Sequence, residues 1–222
     1  MMIRNRYLAA VNDKPWWLAG GIPCDACVAA YQPVGASDYA ASKVNLANPG
    51  TYDATDGTLA PTWDNVNGWK KTNIKQHLKT GIMATNGYSL IVRFSDVTPS
   101  DRPYIMGGGT GYGKGIGIGV ARTANSRAFL YGSINYYAGN YTSGVLAATQ
   151  KSTNSTVAQE WYNGSLVVDN QAIDIAKFGG EIFLLANSGD PTDTIGYIQA
   201  AAIYNISITN YVPELTIAMN AL

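Results

Sequence analysis

Charge is scarce in this sequence: Asp, Glu, Lys and Arg make up 14% of its 222 residues, and 15 basic side chains cancel 15 acidic ones. A protein that grips a nucleic-acid backbone needs a surplus of Lys and Arg against phosphate, so no nucleic-acid partner is expected. No apolar run is long enough to cross a bilayer as a helix, so no membrane partner is expected either. Histidine is represented by His77 alone and cysteine by Cys24 and Cys27, too few for the full tetrahedral ligand set of a zinc site. A redox reading of Cys24-Asp25-Ala26-Cys27 needs a helix starting at the motif to lower the thiol pKa. Val28-Ala29-Ala30-Tyr31 reads instead as a strand, so two reduced, inert thiols are expected. The opening Met1-Met2-Ile3-Arg4-Asn5-Arg6 lacks the apolar stretch and small-residue cleavage site of a secretion signal. Synthesis and assembly in a cytoplasm are therefore expected. On that basis the Asn-x-Ser/Thr sequences at Asn140, Asn154, Asn163 and Asn205 reflect the abundance of those residues.

The chain is rich instead in short apolar and aromatic runs separated by turn residues, the pattern of a β-sandwich. Residues 88–95 form the clearest strand, with others at 104–106 and 115–120. In the last of these, alternation puts Ile116, Ile118 and Val120 on one face and glycines on the other. A strand with one bare face lets another backbone or a ligand come close. Further strands are expected at 128–131, 157–162, 165–168, 181–185 and 197–204, with Asn163-Gly164 as a hairpin turn. Only residues 213–222 have helical spacing, with Leu215, Met219 and Leu222 on one face behind a first-turn proline.

The length suits one all-β domain. Residues 1–22 stand apart as an N-terminal docking arm, with 23–222 as the folded domain. In the arm, Trp16, Trp17 and Leu18 sit in a Pro- and Gly-bounded segment without periodicity. They either cap the domain's own core or dock on a partner chain, and the second reading is preferred because such aromatics anchor interfaces.

Two motifs invite a chemical reading. Gly108-Gly109-Thr110-Gly111-Tyr112-Gly113-Lys114-Gly115 nearly matches a phosphate-binding loop, but the residue after the lysine is Gly115 where Ser or Thr would hold magnesium. Residues 115–120 then alternate like a strand, whereas phosphate binding needs a helix N-terminus. The segment reads as a glycine loop between strands. Tyr136, Tyr137, Asn140 and Tyr141 form the most suggestive loop. Aromatic faces with amides bind sugar rings, the same composition makes protein contacts, and tyrosines also serve simply as strand packing. His77 has no serine or cysteine nucleophile motif beside it and reads as a surface or satisfied histidine.

Three segments together resemble the concanavalin A-like superfamily, in its laminin G-like branch. They are Trp63-Asp64-Asn65-Val66-Asn67-Gly68-Trp69 with 77–82 behind it, then Trp161-Tyr162-Asn163-Gly164-Ser165-Leu166, then 201–209 with its Tyr204-Asn205 pair. They occur in the family's order across about residues 28–222. The resemblance implies an all-β, two-sheet antiparallel jelly-roll sandwich with an N-terminal arm and a short C-terminal helix. It also implies that the strand near 28–32 pairs with the one near 199–205, bringing arm and helix to one side. Retaining glucanases of this fold hold two carboxyls about 5–5.5 Å apart on one strand. Here Glu160, Glu181 and Glu214 have no close acidic neighbour, so no catalytic residues and no enzyme are expected. No cofactor is expected beyond the calcium that family members hold at a sandwich rim. For that ion the close acid pairs are Asp53 with Asp56 and Asp190 with Asp193.

In style, with its 44–53 stretch and Ala-rich C-terminal helix, the chain is similar to variants of this domain found in bacteriophage structural proteins. The leading expectation is therefore a non-enzymatic, virion-associated structural protein, a capsid decoration or tail appendage. Its partners would be other virion proteins or copies of itself, made and assembled in a host cytoplasm and docked by the arm. The alternative is a carbohydrate-binding module that recognises cell-surface glycans through the tyrosine loop.

Overall fold

A computed structural model describes residues 14–100, 104–111, 114–120, 126–130, 133–137, 141–174, 179–187 and 195–222. In chain order the strands are β1 (Cys27–Tyr31), β2 (Thr55–Asp56), β3 (Thr62–Asp64), β4 (Gly68–Lys71), β5 (Leu78–Met83), β6 (Ser89–Thr98), β7 (Tyr104–Gly111) and β8 (Lys114–Gly119). They continue with β9 (Ser126–Leu130), β10 (Ser133–Tyr137), β11 (Gly144–Gln150), β12 (Val157–Tyr162), β13 (Ser165–Ala172), β14 (Glu181–Leu184) and β15 (Ile195–Tyr204). Among the described residues there are also two helices, α1 (Tyr39–Ser42) and α2 (Val212–Asn220), and two 3-10 turns, Trp16–Gly21 and Cys24–Ala26.

The strands form two antiparallel sheets, the jelly-roll sandwich that the sequence implies. One is eight-stranded, ordered β13-β12-β11-β6-β15-β4-β3 with β1 also on β15; the other is seven-stranded, ordered β10-β9-β8-β7-β14-β5-β2. The expected pairing of the domain's two ends is present, with Cys27 opposite Tyr204 and Tyr31 opposite Ala201. Asn163 and Gly164 both take positive φ, 47° and 77°, as a two-residue turn matched to strand twist requires. The Trp63 and Trp69 segment is the β3–β4 hairpin, in which the two residues stand directly opposite in register. Buried Trp69 donates through Nε1 to Ser42 Oγ at 2.8 Å.

The central strands of the eight-stranded sheet, β6, β11 and β15, are buried on both faces, which explains their continuous apolar runs. Leu90, Val92, Phe94, Leu146, Ala148, Ala201 and Ile203 point between the sheets, where they meet Leu78, Ile105, Ile116, Ile118 and Leu184. Ile91, Val145, Ala147, Ala200 and Ala202 point the other way, under a second cluster built from Trp16, Ile22, Val212, Leu215 and Met219. Small side chains on that outer face let the N-terminal segment and α2 lie close. The helix itself is held at its C-terminal end by Arg93, whose Nη1 donates to the carbonyls of Met219 (2.9 Å) and Leu222 (3.0 Å). A cation there also complements the helix dipole.

Trp16, expected as a docking residue, packs in that second cluster of its own chain. Its indole is 7% exposed and donates to Gln32 Oε1 at 3.0 Å. Trp17 meets it edge-on, with ring centroids 5.7 Å apart, and the Trp17 carbonyl accepts from the Tyr204 hydroxyl at 2.9 Å. Trp17 and Leu18 are half-buried against the same cluster. The physical reason is the apolar outer face of the sheet, which needs a cover, and residues 14–22 supply part of it. Of the expected arm, this stretch packs on the domain; residues 1–13 lie outside the described residues.

Candidate functional site

The β12–β13 hairpin carries the best-formed surface site. Tyr162 ends β12 opposite Leu146 of β11, and Tyr141, three residues before that strand, stacks on it. The ring centroids are 3.6 Å apart and the planes 18° from parallel. Both rings are half-buried. The Tyr162 hydroxyl donates to the Ser143 carbonyl at 2.8 Å. Burial, with Tyr162 alongside, raises the Tyr141 phenol above its ordinary pKa, so its hydroxyl stays protonated at neutral pH.

The turn residue adds a positioned amide. Asn163 Oδ1 accepts from Val145 N at 2.9 Å, which fixes the exposed side chain and leaves its Nδ2 group without a partner among the described residues. Gly144, with φ 136°, makes the approach possible. A Cβ there would lie 2.7 Å from Asn163 Oδ1 and 2.8 Å from Tyr162 Cε2. Behind the turn, Gly164 rests on α2, where an added Cβ would stand 3.6 Å from Pro213 Cα and 3.7 Å from Thr216. The result is a rigid aromatic stack beside an oriented amide donor, the pair of groups that packs on a sugar ring and bonds its hydroxyls.

Of the loop residues singled out in the sequence, Tyr141 falls in this site. Tyr136 and Tyr137 lie on β10, in register with Arg127 and Ser126 of β9, and Asn140 lies outside the described residues. Tyr162 and Asn163 are legible in the sequence only as strand end and turn. Asn163-Gly164 after an aromatic pair is the signal that could have drawn attention to them.

The remaining candidates are dispersed. Glu160 is fully buried on β12, Glu181 on β14 accepts from Gly81 N at 2.8 Å, and Glu214 is exposed on α2. These are three separate elements. Asp53 Oδ1 accepts from the backbone N–H of Asn45 at 2.8 Å and of Gly50 at 3.2 Å, while Asp56 engages Lys43 Nζ at 3.1 Å. Each carboxylate of that pair thus serves a different local contact; Asp190 and Asp193 lie outside the described residues. Among the described residues no group of three or more His, Cys, Asp and Glu side chains gathers in metal-ligating fashion. Of the glycine segment, Gly108 to Gly111 belong to the end of β7 and Lys114 and Gly115 to the start of β8, Gly111 pairing with Lys114, while Tyr112 and Gly113 lie outside the described residues. Cys24 is exposed and Cys27 buried, both as free thiols, and burial pushes the Cys27 thiol up to about 12, which makes it a poor nucleophile.

His77 packs on Phe183, ring centroids 5.1 Å apart, and burial lowers its pKa from the ordinary 6.5. A lowered folded-state value means that the unfolded chain takes up the proton first. The stability His77 contributes is present above about pH 6.5 and is lost as pH falls through the folded value. A His77→Gln variant should therefore show a flatter dependence of thermal midpoint on pH between about 7 and 5 than the parent.

No family model and no curated protein matches the sequence. Solved structures do share the fold. Trypanosoma rangeli sialidase in complex with sialic acid matches 90% of this chain with a TM-score of 0.64 at 12% identity. The chain spans about a third of that enzyme's length, 34%. Domain 4 of an extracellular arabinanase from Geobacillus stearothermophilus, in complex with arabinotriose, matches 86% of this chain and 98% of its own at 13% identity, with a TM-score of 0.58. The ligand-binding domain of botulinum neurotoxin serotype D, in complex with N-acetylneuraminic acid, matches 89% of this chain and 51% of its own at 15% identity and a TM-score of 0.58. At these identities the likeness establishes the β-sandwich fold.

Proposed function

We propose that this chain is a non-catalytic glycan-binding β-sandwich domain whose contact surface is the Tyr141–Tyr162 stack with the Asn163 amide. The observation that carries this reading is the stack itself, 3.6 Å between centroids beside a fixed amide. Support comes from the fold neighbours, since the arabinanase domain is in complex with arabinotriose and the toxin domain with N-acetylneuraminic acid. The separation of Glu160, Glu181 and Glu214 supports a binding role over glycoside hydrolysis, which uses a facing pair of carboxyls.

The test is a glycan array probed with the full chain, then titration of the best sugar. Tyr141→Ala and Tyr162→Ala should each weaken binding at least about tenfold, or ~1.4 kcal/mol. Asn163→Gly keeps the positive φ of the turn while removing the amide, and should also cost about tenfold. Binding should stay flat from about pH 6 to about pH 9, because the Tyr141 hydroxyl does not ionise there. Failure to retain any glycan, or alanine variants that fold and bind like the parent, would sink the reading.

A virion location is a separate proposal. It rests on the style of the sequence, and quantitative mass spectrometry of purified particles decides it: a fixed copy number per particle supports it and absence overturns it.

A further inference from the structure

The N-terminal segment and α2 leave a cleft of about 540 Å³ between them. Trp16, Leu18 and Ala218 supply apolar walls, and Lys14 and Glu214 also line it. Ile217 projects beside this hollow at 72% exposure, on the face of α2 that the sheet does not use. Lys14 and Glu214 are both exposed and neither forms an ion pair within the described residues. An apolar knob, an apolar hollow and two opposite charges without an ion-pair partner among the described residues therefore share one patch.

We infer that this patch is a twofold self-association surface, its occupant being Ile217 of a second copy of the chain. A twofold interface brings the same patch of each subunit together, so it must be complementary to itself. Here the knob of each copy can enter the hollow of the other. The same rotation sets Lys14 of one copy near Glu214 of its mate, twice, a charge match that favours this register over others. With 15 basic and 15 acidic residues, no net charge repels the two copies. The inference stands apart from glycan binding, since the tyrosine stack is not part of this surface.

Sedimentation equilibrium of the full chain from about 10 to about 200 µM reads the outcome directly. The parent should be dimeric at the upper end, and Ile217→Asp, at an exposed position that leaves the core intact, should be monomeric throughout. Glu214→Lys and Lys14→Glu should each weaken association about tenfold, and the double exchange should restore it to within about threefold of the parent. A parent that is monomeric at every concentration, a stoichiometry other than two, or an Ile217→Asp variant that pairs like the parent would each overturn the proposal.

Discussion

Replacing Trp16 with alanine is expected to destabilise the domain by about 3–5 kcal/mol, the range for truncating a buried indole. That is a large share of the roughly 5–15 kcal/mol by which domains are stable. The indole is 7% exposed among Ile22, Ile91, Val145 and Leu215. Its removal opens a cavity between the sheet and α2 and takes the donor away from Gln32 Oε1. Trp16→Phe should keep most of the packing and lose mainly the hydrogen bond, about 1 kcal/mol. Urea unfolding of the isolated chain distinguishes the two roles considered for this residue. A core cap makes the unfolding midpoint fall sharply in Trp16→Ala, whereas an anchor for another protein leaves it unchanged.

The role of Trp16 shows where sequence reading stops. The face it covers is assembled from Ile91 on β6, Val145 on β11 and Ala200 on β15, strands distant in sequence and adjacent only through sheet order. Nothing local in Pro15-Trp16-Trp17-Leu18 reports that face. The same two-sided burial hid β11. Gly144–Gln150 is apolar without alternation because Leu146 and Ala148 face one cluster while Val145 and Ala147 face the other, so it lacks the period that marks a half-buried strand. Elements whose signal is local were legible. Those are β6 by its apolar run, the Asn163-Gly164 turn by its residue types, and α2 by its spacing behind Pro213. The candidate site was half legible for a related reason. A tyrosine-rich loop is visible in composition, but the partner ring of Tyr141 comes from the end of another strand, and the stack exists only once β11 and β12 pair.

The alternation of glycines with Ile116, Ile118 and Val120 was legible too, and it leads to the most severe substitution expected of this chain. Gly115→Ala should cost more than about 4 kcal/mol and leave little folded protein. Two effects combine there. At φ 113° an L side chain is strained, which by itself costs roughly 1–3 kcal/mol. The added Cβ would also stand 1.8 Å from the Gly108 carbonyl oxygen and 2.5 Å from Gly109 Cα, backbone atoms of the neighbouring strand β7. No side-chain rotation relieves that overlap; β7 and β8 would have to part, and with them the ladder that carries Ile116 and Ile118 into the core. Gly50→Ala separates the two effects, because Gly50 has φ 84° but nothing within 4 Å of its added Cβ. That variant should lose only the strain, about 1–3 kcal/mol, and stay folded. Expression yield and thermal midpoint of the pair decide the matter. If Gly115→Ala melts within a few degrees of Gly50→Ala, the two strands do not approach as closely as 1.8 Å requires, and the bare face of β8 is better read as open to a ligand than closed by backbone.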